Sequence, residues 1–124
     1  EEIKAWEKAR ELNSEIYEIS NNGLFKTDFD LRSQIRRSSI SITSNIAEGF
    51  ERETTKEFIR FLYMAKGSAG EFRSQLYLAQ DLNYIRNEDF ERLNIKVNDI
   101  SRMISGLIKY LNLPLYKNNH YHFL

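Results

Sequence analysis

"TTKEFIRFLYMAKGSAGEFRSQLYLAQDLN", residues 54–83, is the longest stretch of the chain to keep one hydrophobic period throughout. At about 100° of turn per residue, Phe58, Phe61, Leu62, Ala65, Ala69, Phe72, Leu76 and Ala79 share one face. Thr54 stands where an N-cap side chain accepts a backbone hydrogen bond, and Glu57, three residues on, completes a capping-box pattern. A stretch several times the length of an ordinary strand, with a helical period and a cap at its start, is a helix.

Three other stretches follow the same rule. Residues 3–20 place Ala5, Ala9, Leu12, Ile16 and Ile19 on one face, with Trp6 and Tyr17 beside it, and Asn21, Asn22 and Gly23 end the run. "FKTDFD", residues 25–30, leads into a second helix with Asp28 or Asp30 as N-cap. Its stripe is Leu31, Ile35, Ile42 and Ile46, with Ser39 among them and Gly49 near its end. "NYIRNEDF", residues 83–90, makes the last turn, with Asn87 as cap and Glu88 and Asp89 placed against the helix dipole. Phe90, Leu93, Val97, Ile100, Ile104, Leu107, Ile108 and Leu111 then form the fourth stripe, which Pro114 prevents from continuing. Four amphipathic helices, short connections and no alternating strand predict an all-α protein. The architecture they imply is an antiparallel up-down-up-down four-helix bundle over residues 1–113, followed by a tail at 114–124.

Composition narrows the function. The 124 residues suit one domain, and five Gly with one Pro favour long uninterrupted helices. Lys plus Arg equals Asp plus Glu, 18 each, so the chain lacks the basic excess of a typical non-specific nucleic-acid binder. With no cysteine, disulfides, thiolate nucleophiles and Cys-ligated zinc are excluded, which fits a reducing compartment. No apolar run reaches the length of a membrane span and no signal peptide is visible, so the expected location is the cytoplasm, with no membrane partner.

Catalytic constellations are missing from the pattern. A di-iron bundle needs Glu-x-x-His pairs on facing helices, whereas the two histidines, His120 and His122, sit in the tail. "GSAG", residues 67–70, lies inside a helical period, so its small residues predict close helix approach rather than a phosphate loop. Serines abound, but no histidine falls within the bundle to activate one. The expectation is a protein without enzymatic activity, cofactor or metal.

Polar residues are ordered too. Ser38, Ser41, Asn45 and Glu48 recur at spacings of three and four, and Ser68 and Glu71 repeat the arrangement on the third helix. Facing polar stripes beside a core predict a hydrogen-bonded seam, because buried hydroxyls and amides must be paired. On that reading Asn45→Ala costs more stability than Asn13→Ala. Ile40, Ala47, Ile59, Tyr63, Gly70 and Tyr77 fall off the core stripes, which predicts a subunit interface in a homo-oligomer. Arg36, Arg37, Lys56, Arg60, Lys66 and Arg73 are candidate contacts to RNA or DNA, set against a plain salt-bridged surface.

Three ordered motifs carry a family resemblance over nearly the whole chain. "IKAWEKARELNSEIY" resembles the opening helix, L-x-V-W-x-x-A, of the bundle proteins encoded in 23S rRNA intervening sequences, with Ala5 where Val is usual. "LRSQIRRSSISITSNIAEGF" is similar to that family's central signature, a Q-[IL]-R-R-[SA] run leading into N-I-A-E-G. "EFIRFLYMAKGSAGEFRSQLYLA" resembles its third-helix signature, F-x-x-F-L-x-x-A-x-G-S-x-x-E. The resemblance implies a bacterial, non-enzymatic bundle that assembles as a homo-oligomer, typically a ring-shaped pentamer. It also implies similarity to the accessory bundle proteins of diversity-generating retroelements, which bind nucleic acid and a reverse transcriptase. The alternative role is a scaffold that presents helix faces to a protein partner.

Overall fold

A computed structural model describes residues 2–115 of the chain. All regular helical structure there falls into α1 (Glu2–Ile19), α2 (Gly23–Thr27), α3 (Phe29–Phe50), α4 (Thr55–Asp81) and α5 (Asn87–Leu111). Most of the tail assigned from sequence, including His120 and His122, lies outside the described residues. The four long helices close a square: α1 packs on α3 and α5, and α4 packs on the same two.

The expected stripes line the interior. Ala9, Leu12, Ile16, Ile35, Ile42, Ile46, Phe58, Leu62, Phe72, Leu76, Leu93, Val97, Ile100 and Ile104 are fully buried. Burying a residue of this size is worth about 1.5–3 kcal/mol relative to leaving it in water, so packing of these faces dominates the stability of the fold. Two stripe positions differ from the sequence reading. Ile19 and Phe61 are only half-buried. Phe61 lies at the rim, where the guanidinium groups of Arg52 and Arg60 sit 4.7 and 5.1 Å from its ring centre.

Side-chain caps start α3 and α4, whereas the N-caps of α2 and α5 make no side-chain bond. The side chain of Asp28 accepts from the Leu31 N–H at 3.1 Å, so Asp28 rather than Asp30 caps α3. Thr54 accepts from the Glu57 N–H at 3.1 Å and caps α4. On α5 the N-cap is Arg86, not Asn87, and it makes no side-chain cap bond. Glu88 compensates in the first turn. A hydrogen bond from its own backbone N–H and the charge of Arg86 hold its carboxyl below the ordinary glutamate range.

The short α2 escaped the sequence reading because five residues are too few to show a period. It begins at Gly23, in the left-handed region at φ +57°, and swings the chain over the end of the bundle. There Phe25 is fully buried against Tyr84, ring centres 5.6 Å apart, while the Tyr84 hydroxyl donates to Asp28 at 2.9 Å. Close approach is found at a different glycine from the one expected. A Cβ on Gly49 would lie 2.7 Å from Phe58 Cδ1, so this position tolerates no side chain. At Gly67 and Gly70, by contrast, a Cβ would meet nothing within 4 Å. The GSAG run therefore does not bring helices together through its glycines. Ala69 does the packing there, and Ser68 faces α3.

Candidate functional site

Polar side chains join α3 to both of its neighbours. Towards α4, the Ser38 hydroxyl donates to Gln75 Oε1 at 2.7 Å and the Ser68 hydroxyl donates to Ser41 Oγ at 2.9 Å. Asn45 stays within α3, donating to the carbonyl and hydroxyl oxygens of Ser41 at 2.9 and 3.1 Å. The two glutamates assigned to this seam lie outside it. Glu71 is exposed, and Glu48 pairs with Arg52 one turn on, because both side chains leave their helices on the solvent side.

A second seam, towards α1, was missed. Buried Ser39 donates to Asn13 Oδ1, Asn13 Nδ2 donates to Thr43 Oγ1 at 3.1 Å, and Thr43 donates to the Ile40 carbonyl at 2.7 Å. The amide that sequence reading used as an inert comparison for Asn45 thus bridges two helices. Further along the same junction, Arg36 Nε donates to Ser20 Oγ at 2.8 Å and Nη2 donates to the Tyr17 carbonyl at 3.2 Å. Helix α1 has no basic residue in its last turn, and Arg36 supplies from α3 the cation that its carbonyl end favours.

Arg36 also lies 4.4 Å from the Tyr17 ring centre, and this pair opens a surface groove. The groove, of about 460 Å³, is lined by Tyr17 of α1 and by Phe29, Arg32, Ser33, Arg36, Arg37 and Ile40 of α3. Arg32 is held in the same manner as Arg36. Its Nη1 donates to the Lys26 carbonyl at 3.0 Å, and its guanidinium stands 5.1 Å from the Phe29 ring centre. Arg37 is exposed at the rim. Among the described residues, ion pairs engage Arg52, Arg60, Arg86, Arg92, Lys96 and Arg102, and none of the three groove arginines.

The remaining cations assigned to nucleic acid do not join this groove. Lys56 and Arg60 are exposed in the first turns of α4, where Arg60 pairs with Glu57. Lys66 lines a separate groove with Tyr63 and Ser105 between α4 and α5, and Arg73 donates to Asn98 of α5 at 3.0 Å. Helical geometry separates them: Arg36 lies at the α1/α3 junction, while Lys66 and Arg73 lie at the α4/α5 junction.

Off-core apolar residues divide similarly. Ile40 is 41% exposed but belongs to the arginine groove, and Ala47 is half-buried further along α3. Ile59 packs partly against the core, and Gly70 is half-buried. Tyr77 is exposed yet lies edge-on to Phe90, ring centres 5.1 Å apart, whereas Tyr63 is 56% exposed. Met64 and Leu78 on α4 and Leu82 just after its end, also exposed, were not among the assigned positions.

Charge is ordered elsewhere as well. Between α1 and α5, Arg92 reaches Glu15 at 2.7 Å and Lys96 reaches Glu11 at 3.1 Å and also Glu15, while Arg92 also pairs with Asp89 of its own helix at 2.8 Å. Burial disfavours the charged forms of Glu15 and Lys96, but their hydrogen bonds and mutual charge outweigh it. Glu15 is left below the ordinary carboxylate range and Lys96 above the ordinary amine range. Among the described residues, no group of three or more His, Cys, Asp or Glu is placed to hold a metal ion. No helix there is long and apolar enough to cross a membrane.

Comparison with known proteins agrees with the motif pattern. The family model described as 23S rRNA-intervening sequence protein matches residues 1–106. Among solved structures, the chain is similar to a protein of unknown function from the S23 ribosomal protein family of Bacteroides thetaiotaomicron. The two share 29% identity over 85% of this chain and 98% of that one, with a TM-score of 0.78. Comparison with curated proteins found no match. By its motifs, its helical bundle and the match over most of its length, the chain belongs to the 23S rRNA-intervening sequence protein family.

Proposed function

We propose that this chain is a non-enzymatic, self-associating four-helix bundle of the cytoplasm that contacts RNA through the arginine groove between α1 and α3. An up-down-up-down arrangement underlies the reading. Contacts that climb one helix descend its neighbour: Ser38 and Ser41 meet Gln75 and Ser68, and Glu11 and Glu15 meet Lys96 and Arg92. Residues 114–124 are then an appendage to a single bundle domain. A pentamer is the assembly that the family resemblance implies, and repetition of one groove around a ring would multiply weak contacts.

The observation that carries the RNA reading is the unneutralised charge of Arg32, Arg36 and Arg37 in a chain whose formal charge is zero. Among the described residues, six basic side chains pair with carboxylates; Arg32, Arg36 and Arg37 instead stand together along one groove without an ion pair. The test is RNA binding by fluorescence anisotropy across a salt series. Arg37 is the residue to change, because Arg36→Ala would also strip the cap from α1. Arg37→Ala is expected to weaken binding and to reduce the slope of log K against log salt by about 0.7–0.9. Absence of binding at low salt would sink the reading. A second role, a scaffold for a protein partner, is favoured by exposed Tyr63, Met64 and Leu78 on α4 and Leu82 at its C-cap. Affinity capture yielding a protein and no nuclease-sensitive material would favour it.

A further inference from the structure

The geometry points to the α1/α3 groove as a seat for an unpaired nucleotide, one base with its phosphate, rather than for duplex RNA. The inference rests on the RNA reading above and specifies what part of an RNA this groove takes. Its first support is the pairing of each anchored cation with a ring. Arg36 lies over Tyr17 and Arg32 over Phe29, so the groove presents two planar cation–ring pairs as well as charge. A duplex backbone asks only for cations. Flat π and guanidinium surfaces suit a base that has left its stack.

The second support is preorganisation. Arg36 is fixed through Nε and Nη2 to Ser20 and Tyr17, and Arg32 through Nη1 to Lys26. Each keeps further N–H donors, and the freedom a long side chain loses on binding an anion has largely been given up already in folding. Exposed Arg37 at the rim completes the phosphate contact. The third support is Phe29 itself. It is 65% exposed at the first position of α3, where the fold places no demand for a large ring. The groove's volume, about 460 Å³, lies within the range of sites that hold small organic ligands. An acidic peptide would satisfy the arginines but would leave both rings without a role.

Phe29→Ala separates the possibilities, because it removes a stacking surface while leaving every charge in place. Anisotropy at low salt would compare a single-stranded oligoribonucleotide, the same sequence as a duplex, and polyglutamate, with light scattering to record assembly mass. The expected result is preference for the single strand, an approximately tenfold loss in Phe29→Ala as for one stacked base, and unchanged mass. Circular dichroism would verify that the variant folds, and Phe29→Tyr is expected to restore affinity. Equal binding of single strand and duplex, both indifferent to Phe29→Ala, would overturn the inference while leaving the RNA reading standing. Binding of neither RNA would overturn both. Polyglutamate binding as tight as RNA, or a fall in assembly mass in Phe29→Ala, would overturn the inference by assigning the groove to an acidic protein or to a second copy of the chain.

Discussion

The amide of Asn13 serves two hydroxyls of α3 at once, accepting from Ser39 and donating to Thr43. Ser39 is fully buried, so removing the amide strands a hydroxyl that water does not reach. Asn45 bonds only to Ser41 in its own helix, and Ser41 keeps its bond from Ser68 when Asn45 is lost. Leaving a buried polar group unpaired costs about 1–3 kcal/mol, against about 1 kcal/mol for an ordinary hydrogen bond. Asn13→Ala is therefore expected to destabilise more than Asn45→Ala in urea or guanidinium melts, the reverse of the order read from sequence. Equal midpoints, or a larger loss in Asn45→Ala, would show that the α1/α3 seam contributes little. Gly49 illustrates a different residue-scale constraint. It is required because Phe58 fills the space beside its Cα, a demand that comes from α4 rather than from the turn around it.

Between elements, the α1/α5 edge is held by charge where α3 uses hydroxyls and amides. Glu15 sits between Arg92 and Lys96, and its folded pKa is depressed, so its stabilisation is present above the unfolded value of about 4.3. That stabilisation is lost as pH falls through the folded pKa. Lys96, raised in the fold, contributes with the opposite sign. Its share is complete below the unfolded value of about 10.4 and is lost as pH rises through the folded pKa. Glu15→Gln is expected to cost about 1 kcal/mol near neutrality, since the pair is only partly shielded from solvent. The gap to the parent chain should close in acid, where both side chains are neutral. Urea melts at a series of pH values would show this, and a gap of constant size from neutral to acid pH would refute it. The charge pairs between α1 and α5 and the Asn13 seam between α1 and α3 were not legible in the sequence. The Ser41–Ser68 contact between α3 and α4, like the elements themselves, largely was. Helix stripes repeat locally and can be read residue by residue. Which polar face meets which depends on how α1, α3, α4 and α5 pack around the core, and that is long-range information. The groove was half visible for the same reason: Arg36 and Arg37 stand out in one helix, but Tyr17 comes from another and Phe29 from the start of α3.

At the scale of the whole molecule, the arginine groove and the exposed face of α4 offer two surfaces with different chemistry. The groove combines charge with rings and lies at the α1/α3 junction, whereas Tyr63, Met64 and Leu78, with Leu82 at the C-cap, place apolar area along α4. If the first takes nucleic acid, the second is where copies of the chain should meet, because exposed apolar area grouped on one element marks association surfaces. Tyr63 is the position to change. It lies at the α4/α5 edge beside Lys66 and Lys109, is more than half exposed, and is not part of the buried core. A carboxylate in its place leaves the core intact but opposes burial against a partner, since an unpaired buried charge costs several kcal/mol. Tyr63→Glu is expected to lower the mass seen by light scattering at micromolar concentration while helix content stays unchanged. Ile95→Glu, an equally exposed apolar position on α5, supplies the comparison and should leave the mass as it is. Were Ile95→Glu to disperse the assembly and Tyr63→Glu not, the subunit contact would belong to α5 and the α4 face would be free for another protein.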